Sequence, residues 1–141
     1  MSRVSTVLAT STILALAGGA GLAFAVVPEV LAKSRAGLWE LAGIEGSKAP
    51  ARVCVTDLAD LARLQHSGRK CTQRAIRETG SSVTFSYQCT ASDFGQSRLD
   101  WVTSQSFRIQ TQGISGGLPF SYLVQARRLG DCEVKDSPAG H

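Results

Sequence analysis

Asparagine is absent from this 141-residue chain, histidine occurs twice, and aromatic residues make up only 6% of it. Each scarcity excludes something. Without asparagine there is no N-glycosylation acceptor. The two histidines, His66 and His141, stand far apart, and none of the four cysteines forms a C-x-x-C pair, so the close ligand spacing of a zinc site is missing. No metal or other cofactor is expected. Few aromatics leave little to stack on nucleic-acid bases, and no nucleic-acid partner is expected. No internal repeat or low-complexity segment occurs, which removes solenoids and linker arrays. Charged residues are 18% and hydrophobic ones 43%, the balance of one small globular domain plus a targeting segment.

The N-terminal 27 residues carry one charge, Arg3, followed by an apolar and small-residue run from Val4 to Val27. Ala23-Phe24-Ala25 is an A-x-A triplet, so residues 1–25 read as a signal peptide cut after Ala25. A second cut site follows Ala32. An uncleaved anchor is the alternative, because the apolar run is long enough to cross a bilayer. Gly18, Gly19, Gly21 and Pro28 favour processing. No cysteine lies beside the cut, which argues against a lipid-modified terminus. Removing Arg3 leaves a formal charge of +3, mildly basic and without any demand for a nucleic-acid partner. Eleven arginines against four lysines is the bias of a GC-rich bacterial genome. Four cysteines in an exported chain of this size point to two disulfides and to the periplasm or the medium.

Residues 26–35 read as a flexible leader, 36–132 as a single β-rich domain and 133–141 as a disordered tail. Gly37–Gly46 is a first strand, SKAP a turn, and Arg52–Val55 a second strand. Thr56 then serves as the N-cap of a helix to about Gln65, with Asp57 and Asp60 in its first turn and Leu58, Leu61, Ala62 and Leu64 on one face. Cys71 to Cys89 reads as a hairpin turning at Gly80-Ser81. Its second arm alternates Val83, Phe85, Tyr87 and Cys89 with Ser82, Thr84, Ser86 and Gln88. A two-residue turn with glycine first pairs Ile76 with Phe85, Arg74 with Tyr87 and Thr72 with Cys89. A three-residue turn slips the register by one and sets Cys71 opposite Cys89. A loop around Asp93 and Gly95 follows, then a long polar strand with Leu99, Trp101, Phe107 and Ile109 on one parity and a break near Ser104. Gly113–Pro119 is a loop, and a last strand carries Phe120, Tyr122, Val124 and Ala126 towards Cys132. The expected fold is α+β, mostly β: about six antiparallel strands in a curved sheet or half-barrel with one short helix.

The order GLWE at Gly37–Glu40, VCVT at Val53–Thr56 before a leucine-bearing helix, Cys71, Cys89 and RRLGDC at Arg127–Cys132 resembles the bacterial exported family known as domain of unknown function 3617. The likeness spans Ala36 to Cys132. It implies a small periplasmic domain and assigns no activity, so no catalytic residue is carried over. For the cysteines, the preferred pairing joins Cys54 to Cys71 across the helix and Cys89 to Cys132. The alternative joins Cys71 to Cys89 and Cys54 to Cys132. Either pairing contributes about 3 to 4 kcal/mol per bridge in the chain-entropy picture.

Candidate chemistry is thin. Gly113-Ile114-Ser115-Gly116-Gly117 matches the G-x-S-x-G pattern, but a strand follows it where a nucleophile elbow needs a helix. His66 reads as a solvated loop histidine. Arg69, Lys70, Arg74 and Arg77, with Arg63, Arg127 and Arg128 nearby, form a candidate polyanion patch. Trp39, Phe85, Tyr87, Phe107 and Tyr122 are candidates for a ligand pocket on the concave side of a half-barrel, against the plainer role of core packing. The reading is a non-enzymatic binding or structural module of the cell envelope, with a small-ligand or lipid carrier and a polyanion-binding surface as alternatives. The candidate partners are an envelope component or a small apolar ligand. Neither partner nor oligomeric state follows from the residues.

Overall fold

A computed structural model describes residues 26–133 together with Gly21. The segments read as signal peptide and as tail therefore lie almost wholly outside the described residues. Seven strands form one antiparallel sheet: β1 (Gly37–Ala42), β2 (Ala51–Val55), β3 (Thr72–Glu78), β4 (Ser82–Thr90), β5 (Asp93–Thr103), β6 (Ser106–Ser115) and β7 (Leu118–Gly130). Their spatial order is β2-β1-β7-β6-β5-β4-β3. Strands β3 to β7 run as a meander; β1 returns to flank β7, and β2 closes that edge. The seventh strand arises because the long polar stretch divides at Ser104-Gln105 and the segment read as a loop at Gly113–Pro119 is almost entirely strand. Only Gly116 and Gly117 turn there, at φ +56° and +80°, the left-handed pair that a tight hairpin turn requires.

Alternation gives the sheet two unlike faces. Trp39, Leu41, Val83, Phe85, Leu99, Phe107, Ile109, Val124 and Ala126 point to one side and are buried. A 3-10 helix, Leu58–His66, covers that side and packs Leu58, Leu61 and Ala62 into the same core. It is 3-10 rather than α, is kinked at Arg63, and begins one residue later than the sequence suggests. Asp57, not Thr56, is the cap: its carboxylate accepts from the Ala59 amide at 2.9 Å. A helical turn, α1 (Glu29–Ala32), lies in the segment read as flexible leader, with Val30 and Leu31 buried in the core. Apolar side chains one residue apart with no period gave no sign of it.

The helix is also why the preferred disulfide pairing fails. It carries the chain from β2 to β3, and these are the opposite edges of the sheet, so Cys54 and Cys71 sit out of bonding reach. The bridges are Cys54–Cys132 and Cys71–Cys89. The first joins β2 to the end of β7 past β1, whose Leu38 pairs with both Cys54 and Gly130. The second depends on a bulge. The hairpin turn has two residues, with the Thr79 amide donating to the Ser82 carbonyl at 2.8 Å and Glu78 opposite Val83. Gly80 is not in the left-handed region, so the turn is not the glycine-first type. Instead the Thr79 hydroxyl accepts from the Ser82 amide at 3.0 Å. Ile76 is an extra residue in β3, and beyond it the register slips by one to Ala75 opposite Phe85 and Thr72 opposite Gln88. That slip faces Cys71 to Cys89. The bridges close loops of 78 and 18 residues, worth about 4.5 and about 3 kcal/mol on the chain-entropy relation.

Proteolytic mapping of the oxidised protein should recover one peptide pair linked through Cys71 and Cys89 and another through Cys54 and Cys132. A Cys54–Cys71 link would contradict the strand order.

Candidate functional site

Two places concentrate polar chemistry, one sealed within the covered face and one open on the other. The sealed one is built around His66. It closes the 3-10 helix and is 1% exposed, not the solvated loop residue that its basic neighbours suggested. Space for it comes from a row across the sheet, Tyr87–Gly95–Gly113–Phe120, in which two directly paired glycines separate two aromatics. A Cβ on Gly95 would lie 2.6 Å from the Tyr87 hydroxyl. His66 stands edge-on to both rings, 5.5 Å from Tyr87 and 5.8 Å from Phe120.

The ring's Nδ1 is 3.1 Å from the Tyr87 hydroxyl, and Nε2 faces Asp93 Oδ1 at 3.4 Å. A carboxylate opposite Nε2 favours a proton there, which leaves Nδ1 to accept from Tyr87. Asp93 itself ties three segments together. It accepts from the Gly116 amide at 2.7 Å in the β6–β7 turn, from the Thr90 hydroxyl at 2.8 Å, and from Arg69 at 2.9 Å. These bonds, the Gly116 amide foremost and then Thr90, hold its carboxyl down to about 2. Nearby, burial pushes Tyr122 up to about 12, so its hydroxyl stays a donor to Gln65 at 3.0 Å. A Tyr–His–Asp–Arg chain has the parts of a proton relay. Here it clamps the helix end and two turns, and its three inner members, Tyr87, His66 and Asp93, are 6% exposed or less. Ser115 ends β6 immediately before a hairpin turn, not a strand-to-helix elbow.

The open place is the face that nothing covers. The even-numbered residues of β5 and β6 and the odd-numbered ones of β7 point there, and at its centre is a groove of about 740 Å³. A strongly twisted sheet is saddle-shaped, so its free face is concave along one diagonal. Thr84, on the groove floor, is only 8% exposed although no element lies over it. One row runs Arg77–Thr84–Arg98–Gln110–Leu123 across β3 to β7, and the next runs Arg74–Ser86–Gln96–Gln112–Ser121. Both rows contribute to the groove, and Ile76, displaced by the bulge, joins its wall. By register, the face carries Arg52, Arg74, Arg77, Arg98, Arg108 and Arg127 against two carboxylates, Glu40 and Asp100. Glu40 pairs with Arg52 and Arg127, and Asp100 with Arg98. Among the described residues Arg74, Arg77 and Arg108 have no carboxylate within ion-pair distance.

The residues nominated from sequence are divided between these places. Of the basic patch, Arg74 and Arg77 reach the open face, Arg69 is committed to Asp93, and Lys70 is exposed in the loop before β3. Arg63 pairs with Asp60 at 2.6 Å, and Arg128 with Asp131 at 2.5 Å. The pocket candidates all lie on the covered side. Trp39, Phe85, Tyr87 and Phe107 are buried, Tyr122 is partly buried, and the helix packs its Leu58, Leu61 and Ala62 into the same core. Arg98, Gln96, Gln110 and Gln112 were missed, although QSRLDWVTSQSFRIQTQ alternates well enough to set them on one side. The clamp around His66 had no sequence signal, because its members are brought together only by the glycine pair.

Over residues 34–132 the chain matches the model of a family described as protein of unknown function (DUF3617), and it belongs to that family. No curated protein and no solved structure matches it.

The Asp93 carboxyl titrates below the ordinary value of 3.8, so its ionised form stabilises the fold above that pH, and this contribution disappears as pH falls from 3.8 towards 2. Urea unfolding of the wild type should therefore weaken across that window. Asp93→Asn should be less stable at neutral pH and have a shallower acid limb; parallel curves for the two proteins would refute the role.

Proposed function

We propose that this member of the family is a non-catalytic binding module that acts outside the cytoplasm, in the periplasm or cell envelope, after removal of residues 1–25. Its two disulfides suit an oxidising compartment. No helix among the described residues is long and apolar enough to cross a membrane. The ligand face is the uncovered side of the sheet, and the ligand is anionic.

One observation carries this reading: the face left without a covering element holds six arginines against two carboxylates, a net charge as large as the +4 of the whole chain. Such an excess on one concave surface raises the local concentration of anions and speeds their arrival. The guanidinium groups of Arg77 and Arg98, two strands apart and so separated by about 10 Å at the backbone, match anionic groups repeated along a ligand. The side-chain amides of Gln96, Gln110 and Gln112 supply neutral hydrogen bonds between them.

Retention on immobilised heparin tests the reading. The wild-type domain should bind near physiological salt and elute as salt rises. Arg74→Gln with Arg77→Gln should weaken binding by about ten- to thirtyfold, at roughly 1 kcal/mol per arginine. Failure to bind near physiological salt would remove the proposal.

A further inference from the structure

The open face is not only cationic. Beyond the leader, six large apolar residues of the domain are exposed: Ile76, Phe94, Val102, Leu118, Leu123 and Leu129. Single exposed apolar side chains are ordinary when scattered. These are not scattered: strand parity sets Phe94 and Leu123 on the uncovered face, the β3 bulge turns Ile76 to the same side, and Val102 and Leu129 stand at register shifts in β5 and β7. Two of them flank the groove directly. Ile76, 46% exposed, stands at the β3 wall and Leu123, 45% exposed, at the β7 wall, at the two ends of the row that contains Arg77 and Arg98. Ile76 is there only because the β3 bulge displaces it. Phe94 lies beside Ile114 and Pro119, one row beyond Gln96 and Gln112.

A hydrophilic polyanion has no use for apolar walls. Resting on the reading of this face as an anion-binding surface, we infer that its ligand is an anionic amphiphile: a phosphate- or carboxylate-bearing headgroup over Arg77 and Arg98, with an apolar chain along Leu123 and Ile76. The charge arrangement supplies the head's partners, and the apolar walls supply area for the chain to bury. The groove, at about 740 Å³, has the size of a small-molecule site, large enough for one such head and the first part of its chain.

Calorimetry with three probes tests this. Lysophosphatidylglycerol, kept below its micelle-forming concentration, carries both parts; glycerol 3-phosphate has the charge without the chain, and lysophosphatidylcholine the chain without net charge. The first should bind at least tenfold more tightly than either of the others. Ile76→Ser with Leu123→Ser should weaken it about tenfold while leaving heparin retention and the melting temperature unchanged; both side chains are half-exposed, so the fold does not rest on them. Arg74→Gln with Arg77→Gln should weaken lysophosphatidylglycerol and heparin together. If glycerol 3-phosphate binds as tightly as the lysolipid, or the apolar variants bind it normally, the ligand is a hydrophilic polyanion and the inference fails while the anion-binding reading stands. Loss of both heparin and lysolipid binding in the wild type would overturn both.

Discussion

Side chains on a strand alternate between faces, and in this sheet the alternation separates two chemistries that would not tolerate each other. A one-residue slip in any strand would carry leucines and phenylalanines into water and arginines under the helix. Yet β3 contains such a slip at Ile76. On β3, an edge strand, the displaced residue meets solvent rather than a second neighbour. The bulge lets a two-residue turn at one end of the hairpin coexist with a register that bonds Cys71 to Cys89 at the other. It also turns an isoleucine towards the groove. Covalent closure and the shape of the open face thus share one backbone irregularity.

Much of the architecture was legible in the residues. Clean alternation in β4 and β7, the aliphatic face of Leu58, Leu61 and Ala62, and an even cysteine count were enough for an antiparallel, disulfide-bonded sheet with one helix on it. What failed did so where a local rule was outvoted by a distant contact. The turn chemistry at Gly80-Ser81 was read as deciding the register, but the bulge four residues away decided it. Cys54 and Cys71 flank the helix closely in sequence, but the helix crosses the sheet and leaves them at opposite edges. The glycines of GISGG suggested a loop; one of them, Gly113, is instead a strand residue that must lack a side chain because Phe94, Gly95 and Phe120 crowd it.

The site was less legible than the fold. Clustering of basic residues in sequence over-weighted Arg63, Arg69 and Arg128, whose ion pairs lie off the open face, and overlooked Arg98, which pairs with Asp100 on that face, far along the chain but only two strands from Arg77. The aromatic residues nominated for a pocket were the right parity for burial, and burial is what they have. The clamp of His66, Tyr87 and Asp93 makes the division of labour physical. It fixes the end of the helix and two turns on the covered side, so the groove on the other side is carried by a sheet that is braced from behind.

The glutamine side chains report the two faces separately. Gln96, Gln110 and Gln112 line the groove, while Gln65 and Gln73 are tied to Tyr122 and to the Ala59 carbonyl on the covered side. Side-chain amide resonances should therefore divide when a heparin oligosaccharide is titrated in at low salt: those of Gln96, Gln110 and Gln112 should shift progressively, and those of Gln65 and Gln73 should stay in place. Shifts confined to Gln65 and Gln73, or no shift at any of the five, would contradict an open face built for anions.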